Sequence, residues 1–138
     1  MKLTRVLLEQ ELECIDFETF AEANTYMDST YSSIGNGDNG YAYKTHTNTV
    51  IKVTKDLEEL EISKRIKGKV ATIHFVKIFK ICEYGFFAII EKEYAQPVPD
   101  EAPEGFLEAA EHEIGTEIDP STKGNLGVVD GELKFFDY

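Results

Sequence analysis

The sequence predicts an α+β fold of antiparallel strands and short helices, and three observations predict it. Residues 30–44 hold a glycine turn, Ile34-Gly35-Asn36-Gly37-Asp38-Asn39-Gly40, between strand-like flanks; after it Tyr41, Tyr43 and Thr45 alternate with Ala42, Lys44 and His46. A β-branched run, Thr49-Val50-Ile51-Lys52-Val53, is followed directly by a helix-forming stretch. Near the end, Asp130-Gly131 separates two strand-like runs, Leu126–Val129 and Glu132–Phe136, which is a two-residue hairpin signal.

The elements follow in chain order. Residues 3–8 read either as a strand or as a helix start. Asp16 is a plausible N-cap for a short helix with Phe17, Phe20, Ala21 and Asn24 at helical spacing. Strand, glycine turn and strand occupy 30–44, a turn at Thr47-Asn48 leads into the β-branched strand, and Asp56 caps a helix from Leu57 to Lys67 that Gly68 stops. Two strands, Phe75–Cys82 and Phe86–Ile90, flank a turn at Glu83-Tyr84-Gly85. Pro97, Pro99 and Pro103 mark a linker. Phe106, Leu107, Ala110 and Ile114 then trace one short amphipathic helix ended by Gly115.

Composition narrows the function. At 138 residues with 16 aromatics (nine Phe, seven Tyr) the chain can bury a core, and no apolar run is long enough to span a membrane. The start is basic and then apolar, but Glu9 and Glu11 cut it short, unlike a signal peptide, so a cytoplasmic location is expected. Cys14 and Cys82 lie outside any CxxC pattern and read as free buried thiols, with a disulfide as the second reading. Glu108 and His112 stand four apart on a predicted helix, and a solvated face explains them better than a metal.

The net charge is −12 and unevenly spread: residues 1–94 carry fifteen acids and twelve bases, residues 95–138 eleven acids and two bases. Such a surface repels a nucleic-acid backbone, and it reads either as a solubility surface or as one that attracts a basic protein or peptide.

The chemistry concentrates at the glycine turn. Glycines let backbone N–H groups approach phosphate oxygens with no Cβ in the way, and a lysine on a returning strand reaches the same phosphates as a point charge. A dinucleotide-binding reading needs a helix opening at the glycines, but strand-like alternation follows Gly40. No Gly-Lys-Ser/Thr sequence supports a Walker A loop.

In order along the chain, these motifs resemble the eukaryotic-type protein kinase superfamily in its broad sense, small bacterial and viral members included. Gly35, Gly37 and Gly40 match its glycine-rich loop, Val50-Ile51-Lys52 its strand lysine, and Glu59 its helix glutamate, with Glu58 and Glu61 as alternatives. His74-Phe75-Val76-Lys77-Ile78 resembles the entry to the next strand, and Ile89-Ile90-Glu91-Lys92 the strand end that meets an adenine ring. Asp119 to Asn125 resembles the D-x-x-x-x-N loop, and Leu133 to Asp137 the strand ending in D-F-G.

The resemblance covers residues 31–138. It implies a five-stranded antiparallel small-lobe sheet with one main helix and an N-terminal extension (1–94), a linker (95–103), and a strongly reduced large lobe of a short helix and a β-hairpin (104–138). It also implies ATP and Mg²⁺ as ligands. Lys52 would sit on the α/β-phosphates, Glu59 would orient Lys52, and Glu91 would lie at the adenine-binding strand end. Asp119 would position the acceptor hydroxyl, and Asn125 and Asp137 would hold the metal.

The pattern also departs from the family. Glu117 and Ile118 stand where the family has His and Arg, one extra residue separates Asp119 from Asn125, and Ser121 replaces the usual lysine. No activation segment or peptide platform follows Tyr138. Two functions are therefore expected in competition: a minimal protein phosphotransferase, or a catalytically inactive kinase-like protein that binds a basic partner through its acidic surface. Phe135 and Phe136, left uncovered by a reduced lobe, would favour a homodimer.

Overall fold

The computed structural model describes residues 11–37 and 40–138; the expectation for residues 3–8 lies outside them, as do Asp38 and Asn39 of the glycine turn. The fold is α+β. Five strands, β1 (Ser32–Asn36), β2 (Gly40–Lys44), β3 (Thr49–Thr54), β4 (Ile78–Glu83) and β5 (Ala88–Glu93), form one antiparallel sheet in the order β1-β2-β3-β5-β4. A second sheet joins β6 (Gln96–Pro97), β7 (Leu126–Val129) and β8 (Glu132–Phe135), also antiparallel. Among the described residues three α-helices accompany them: α1 (Phe20–Thr30), α2 (Leu57–Lys67) and α3 (Phe106–Ile114).

Local chemistry accounts for the helix ends. The Asp56 carboxylate accepts from the N–H groups of Glu58 and Glu59 at 2.9 and 3.3 Å, satisfying two donors at the start of α2. Gly115 ends α3 at φ 73°, in the left-handed region where a Cβ is costly. The cap of α1 corrects the expectation at Asp16: Thr19 fills that role, its hydroxyl accepting from Glu22 N–H at 3.0 Å. Thr19-x-x-Glu22 has capping-box spacing, so the helix starts later and buries Ala23 and Met27. The turn of the β7–β8 hairpin lies at Asp130 (φ 51°) and Gly131 (φ 81°), the two left-handed residues that a type I′ turn requires.

The five-stranded sheet is covered on both faces. On one, Tyr43, Ile51, Val53 and Ile89 pack with Phe87, with Ala23 and Met27 of α1, and with Leu12 and Phe17 of the preceding segment. On the other, Ile78 and Ile90 join Ile62 and Ile66 of α2, Leu107, Ala110 and Ile114 of α3, and Leu126 and Phe135 of the second sheet. Strand β8 meets the segment before β4, where Phe135 N–H donates to the His74 carbonyl at 2.7 Å and Val76 N–H to the Phe135 carbonyl at 3.0 Å. Phe135 is fully buried and Phe136 half-buried, which removes the uncovered pair on which the expected homodimer rested.

Cys14 and Cys82 are not free thiols. They form a disulfide, with Cα atoms 5.5 Å apart across 68 residues of sequence. The extended segment before α1 lies along the back of the sheet and brings Cys14 to β4, a proximity that no local spacing reveals. Within the described residues, no helix is long and apolar enough to cross a membrane.

Candidate functional site

The face of a strand decides which residues meet at the site. On β3, Val50 and Lys52 point to the face opposite Ile51, and the register sets Lys52 beside Ala42 of β2 and Ile90 of β5, and Val50 beside Lys92. Ala42, Val50, Lys52 and Lys92 wall a cavity of ≈ 520 Å³. Its roof is the β1–β2 hairpin through Gly35, Gly37 and Gly40, and its far wall is Phe136 and Asp137. That volume lies within the range of nucleotide-sized ligand pockets.

The glycines have different jobs. A Cβ on Gly40 would sit 2.6 Å from the Val53 carbonyl oxygen, so close strand approach demands glycine there. Gly35 and Gly37 have nothing within 4 Å of an added Cβ. Their bare backbone borders open cavity.

At the cavity wall, the Lys52 ammonium is gripped by two carboxylates: Glu59 Oε2 at 2.7 Å and Asp137 Oδ1 at 2.6 Å. Glu59 reaches it because it opens the buried face of α2, which continues through Ile62, Ser63 and Ile66. Of the three acids on α2, the structure thus selects Glu59, while Glu58 and Glu61 face a separate groove.

A second ammonium completes the cluster. Lys92 is almost wholly buried; its Nζ donates to the Phe136 carbonyl at 2.6 Å and lies 3.9 Å from Glu59 Oε2. The same ammonium stands 5.2 Å from the ring centre of Tyr138, whose hydroxyl is 3.1 Å from Ser63 Oγ.

Two cations and two anions in a poorly solvated space perturb each other. Burial opposes the charge on Lys52, but Glu59 and Asp137 outweigh it and hold the ammonium above its usual pKa. Burial pushes the Glu59 carboxyl up, beyond what Lys92 and Lys52 restore. Burial works the same way on Asp137, yet there Lys92 and Lys52 prevail and keep it below the usual carboxylate range. Lys92 is pushed down by burial. Asp137 is the cluster's outlet to the cavity, with its side chain 37% exposed against 3% for Glu59.

Other expected site residues fall elsewhere. The Glu91 side chain is turned to the opposite face of β5, where its carboxylate accepts from Leu12 N–H at 2.9 Å and from the Thr49 hydroxyl at 2.6 Å. It also accepts from Glu11 N–H at 3.0 Å. It anchors the segment before α1, and the strand end that walls the cavity is Lys92 to Ala95 instead. Asp119 caps a short 3₁₀ turn, Pro120–Gly124, accepting from Ser121 N–H at 2.9 Å, a bond that lowers its pKa. It lines a second groove of ≈ 540 Å³ with Glu58, Glu61 and Glu117.

Asn125 ties the hairpin through its backbone, its carbonyl accepting from Phe136 N–H at 3.1 Å, and it is absent from the cavity wall. Among the described residues no group of three His, Cys, Asp or Glu could hold a metal unaided. The Asp137 carboxylate faces the cavity, and it is the residue that would hold a Mg²⁺ ion carried in with phosphates.

Sequence reasoning missed Lys92. The signal was present: a lysine in the apolar run Ala88-Ile89-Ile90-Glu91-Lys92, two residues past Ile90 and therefore on the Lys52 face. Neither protein-family models nor curated protein sequences match the chain.

Proposed function

We propose that the chain is a kinase-like nucleotide-binding protein that takes ATP with Mg²⁺ in the cavity under the glycine hairpin and serves γ-phosphoryl transfer to a protein hydroxyl. The observation that carries this reading is the Lys52 ammonium, held between Glu59 and Asp137 at the wall of a cavity roofed by Gly35, Gly37 and Gly40. The ammonium supplies positive potential for a polyphosphate, and the side-chain-free glycines let one approach the hairpin backbone, in which the Gly37 N–H donates to the Gly40 carbonyl at 2.9 Å. Val50, Ala42 and Ala95 offer apolar walls for a base. Bound Mg²⁺ would neutralise phosphate charge, with Asp137 as its protein carboxylate. With Asp137 holding the ion, Glu59 would keep Lys52 in place toward the phosphates.

The test is a thermal melt with ATP, with and without Mg²⁺, followed by transfer of labelled γ-phosphate to a basic substrate or to the protein itself. Ligand at a hundred times its Kd stabilises by about 2.7 kcal/mol, several degrees for a domain this size. A Mg²⁺-dependent rise that Lys52→Ala and Asp137→Ala abolish supports the reading, and transfer that survives both substitutions refutes it.

One observation favours a second, non-catalytic reading. Asp119 lines the groove shared with Glu58, Glu61 and Glu117, outside the nucleotide cavity, and its carboxylate is engaged by Ser121. In that reading the groove receives a basic segment of a partner protein. Capture of a basic peptide with no ATP-dependent melt would decide for it.

A further inference from the structure

On a chain of net charge −12, a third cavity carries the opposite sign. It has a volume of ≈ 340 Å³ and lies between the end of α2, the 68–77 segment and β8. Four lysines border it, Lys67, Lys69, Lys77 and Lys134, against a single acid, Glu93. None of the four forms an ion pair with any described residue, although the chain has 26 acids to supply partners. The carboxylate of Glu93 accepts the Lys77 backbone N–H at 3.2 Å.

Gathering four like charges costs stability, and ordinary roles account for only part of it. Lys67 suits the last turn of α2, where a cation complements the helix dipole, and Lys77 guards the approach to edge strand β4. Lys69 and Lys134 have neither role. The Lys134 ammonium donates to the Thr72 carbonyl at 3.3 Å, which ties the loop to β8.

The groove also has an apolar component. Ile66, Phe75 and Ile78 form its floor, and Val70 at its lip is completely exposed.

From this combination we propose that the groove is a docking site for an acidic peptide segment of a partner protein, one that alternates carboxylates with an aliphatic anchor. The carboxylates meet the four ammoniums, and the anchor packs on Val70 above the apolar floor. A compact acidic segment is favoured over nucleic acid, because an extended polyanion leaving the groove would meet the field of the −12 surface. This site takes a partner opposite in charge to the one expected at the acidic groove, and Glu93 is the one lining residue it shares with the nucleotide cavity among the described residues.

The experiment titrates the intact protein into a short fluorescein-labelled peptide of glutamates with interspersed leucines, read by anisotropy at low salt. Amide shifts of residues 69–78 locate the contact. The double variant Lys69→Glu with Lys77→Glu is expected to weaken binding by about tenfold or more, and Lys55→Glu with Lys123→Glu, the same charge change elsewhere, by less than about twofold.

A peptide with serine in place of leucine is expected to bind more weakly. The proposal is overturned by no binding to the wild-type protein, by equal losses in the two double variants, or by equal binding of the serine peptide. It is also overturned if inorganic phosphate alone displaces the peptide, or if duplex DNA binds more tightly with the same lysine dependence.

Discussion

Replacing Lys92 by methionine keeps the length of the buried stem and deletes the ammonium. The ammonium it removes lies 3.9 Å from Glu59 Oε2, a separation at which a unit pair is worth roughly 4 kcal/mol at an effective dielectric of about 20. The Phe136 carbonyl loses its 2.6 Å donor, a further cost of about 1–3 kcal/mol for an unpaired buried acceptor. Against both stands the desolvation penalty of a wholly buried ammonium, several kcal/mol, which the substitution relieves. The balance at neutral pH is a loss of about 2–3 kcal/mol, capped because Glu59 can take up a proton once Lys52 alone faces two carboxylates.

That cap makes the loss pH-dependent, with a definite sign. The Glu59 pKa is already raised and rises further in the variant, so Glu59 in the variant's folded state is protonated to a greater extent than in the wild type's. The variant's stability relative to wild type must then fall as pH rises. The lowered pKa of Lys92 works in the same direction, since the wild type gains stability as pH rises through that value. Urea unfolding followed by far-UV circular dichroism, at several pH values from mildly acidic to mildly alkaline, measures this directly. A deficit that is absent, or that does not change with pH, would sink the account of the four-charge cluster.

Three further expectations follow from the geometry. Gly40→Ala forces a Cβ against the Val53 carbonyl and should cost about 1–3 kcal/mol. Gly35→Ala meets nothing within 4 Å and should change stability by less than about 0.5 kcal/mol; paired denaturation curves separate the two. Reducing the Cys14–Cys82 disulfide opens a 68-residue loop and should lower stability by about 4 kcal/mol on chain entropy, seen as a drop in Tm with reductant that Cys14→Ser with Cys82→Ser reproduces. Asp137→Asn should remove the Mg²⁺-dependent part of any ATP-induced rise in Tm while leaving Lys52 paired with Glu59, and an unchanged Mg²⁺ response would exclude Asp137 as the metal carboxylate.

Legibility in the sequence tracked how local the determining physics is. Asp56, Gly115 and Asp130-Gly131 act through their own backbone or the next turn, and all three elements stand where the pattern put them. The Lys52–Glu59 pair was readable because two periodicities, two on the strand and 3.6 on the helix, aimed both residues at one face. Contacts between distant segments were not readable. The disulfide depends on the path of residues 11–17 behind the sheet, and the parallel bridge between Phe75 and Phe135 depends on how two sheets meet. Glu91 shows the finer difficulty: a resemblance placed it by motif, whereas strand alternation turned its side chain away from the cavity and into the anchor for Leu12.

The disulfide has a practical corollary for handling the protein. The segment between α2 and β4, with Val70 and Ile73 prominently exposed, is the obvious target for a protease, and it lies between Cys14 and Cys82 in the chain. A single cut there yields two pieces that stay covalently joined, so the digest migrates as one band until a thiol is added. An unchanged band on a non-reducing gel is therefore no proof of an intact backbone.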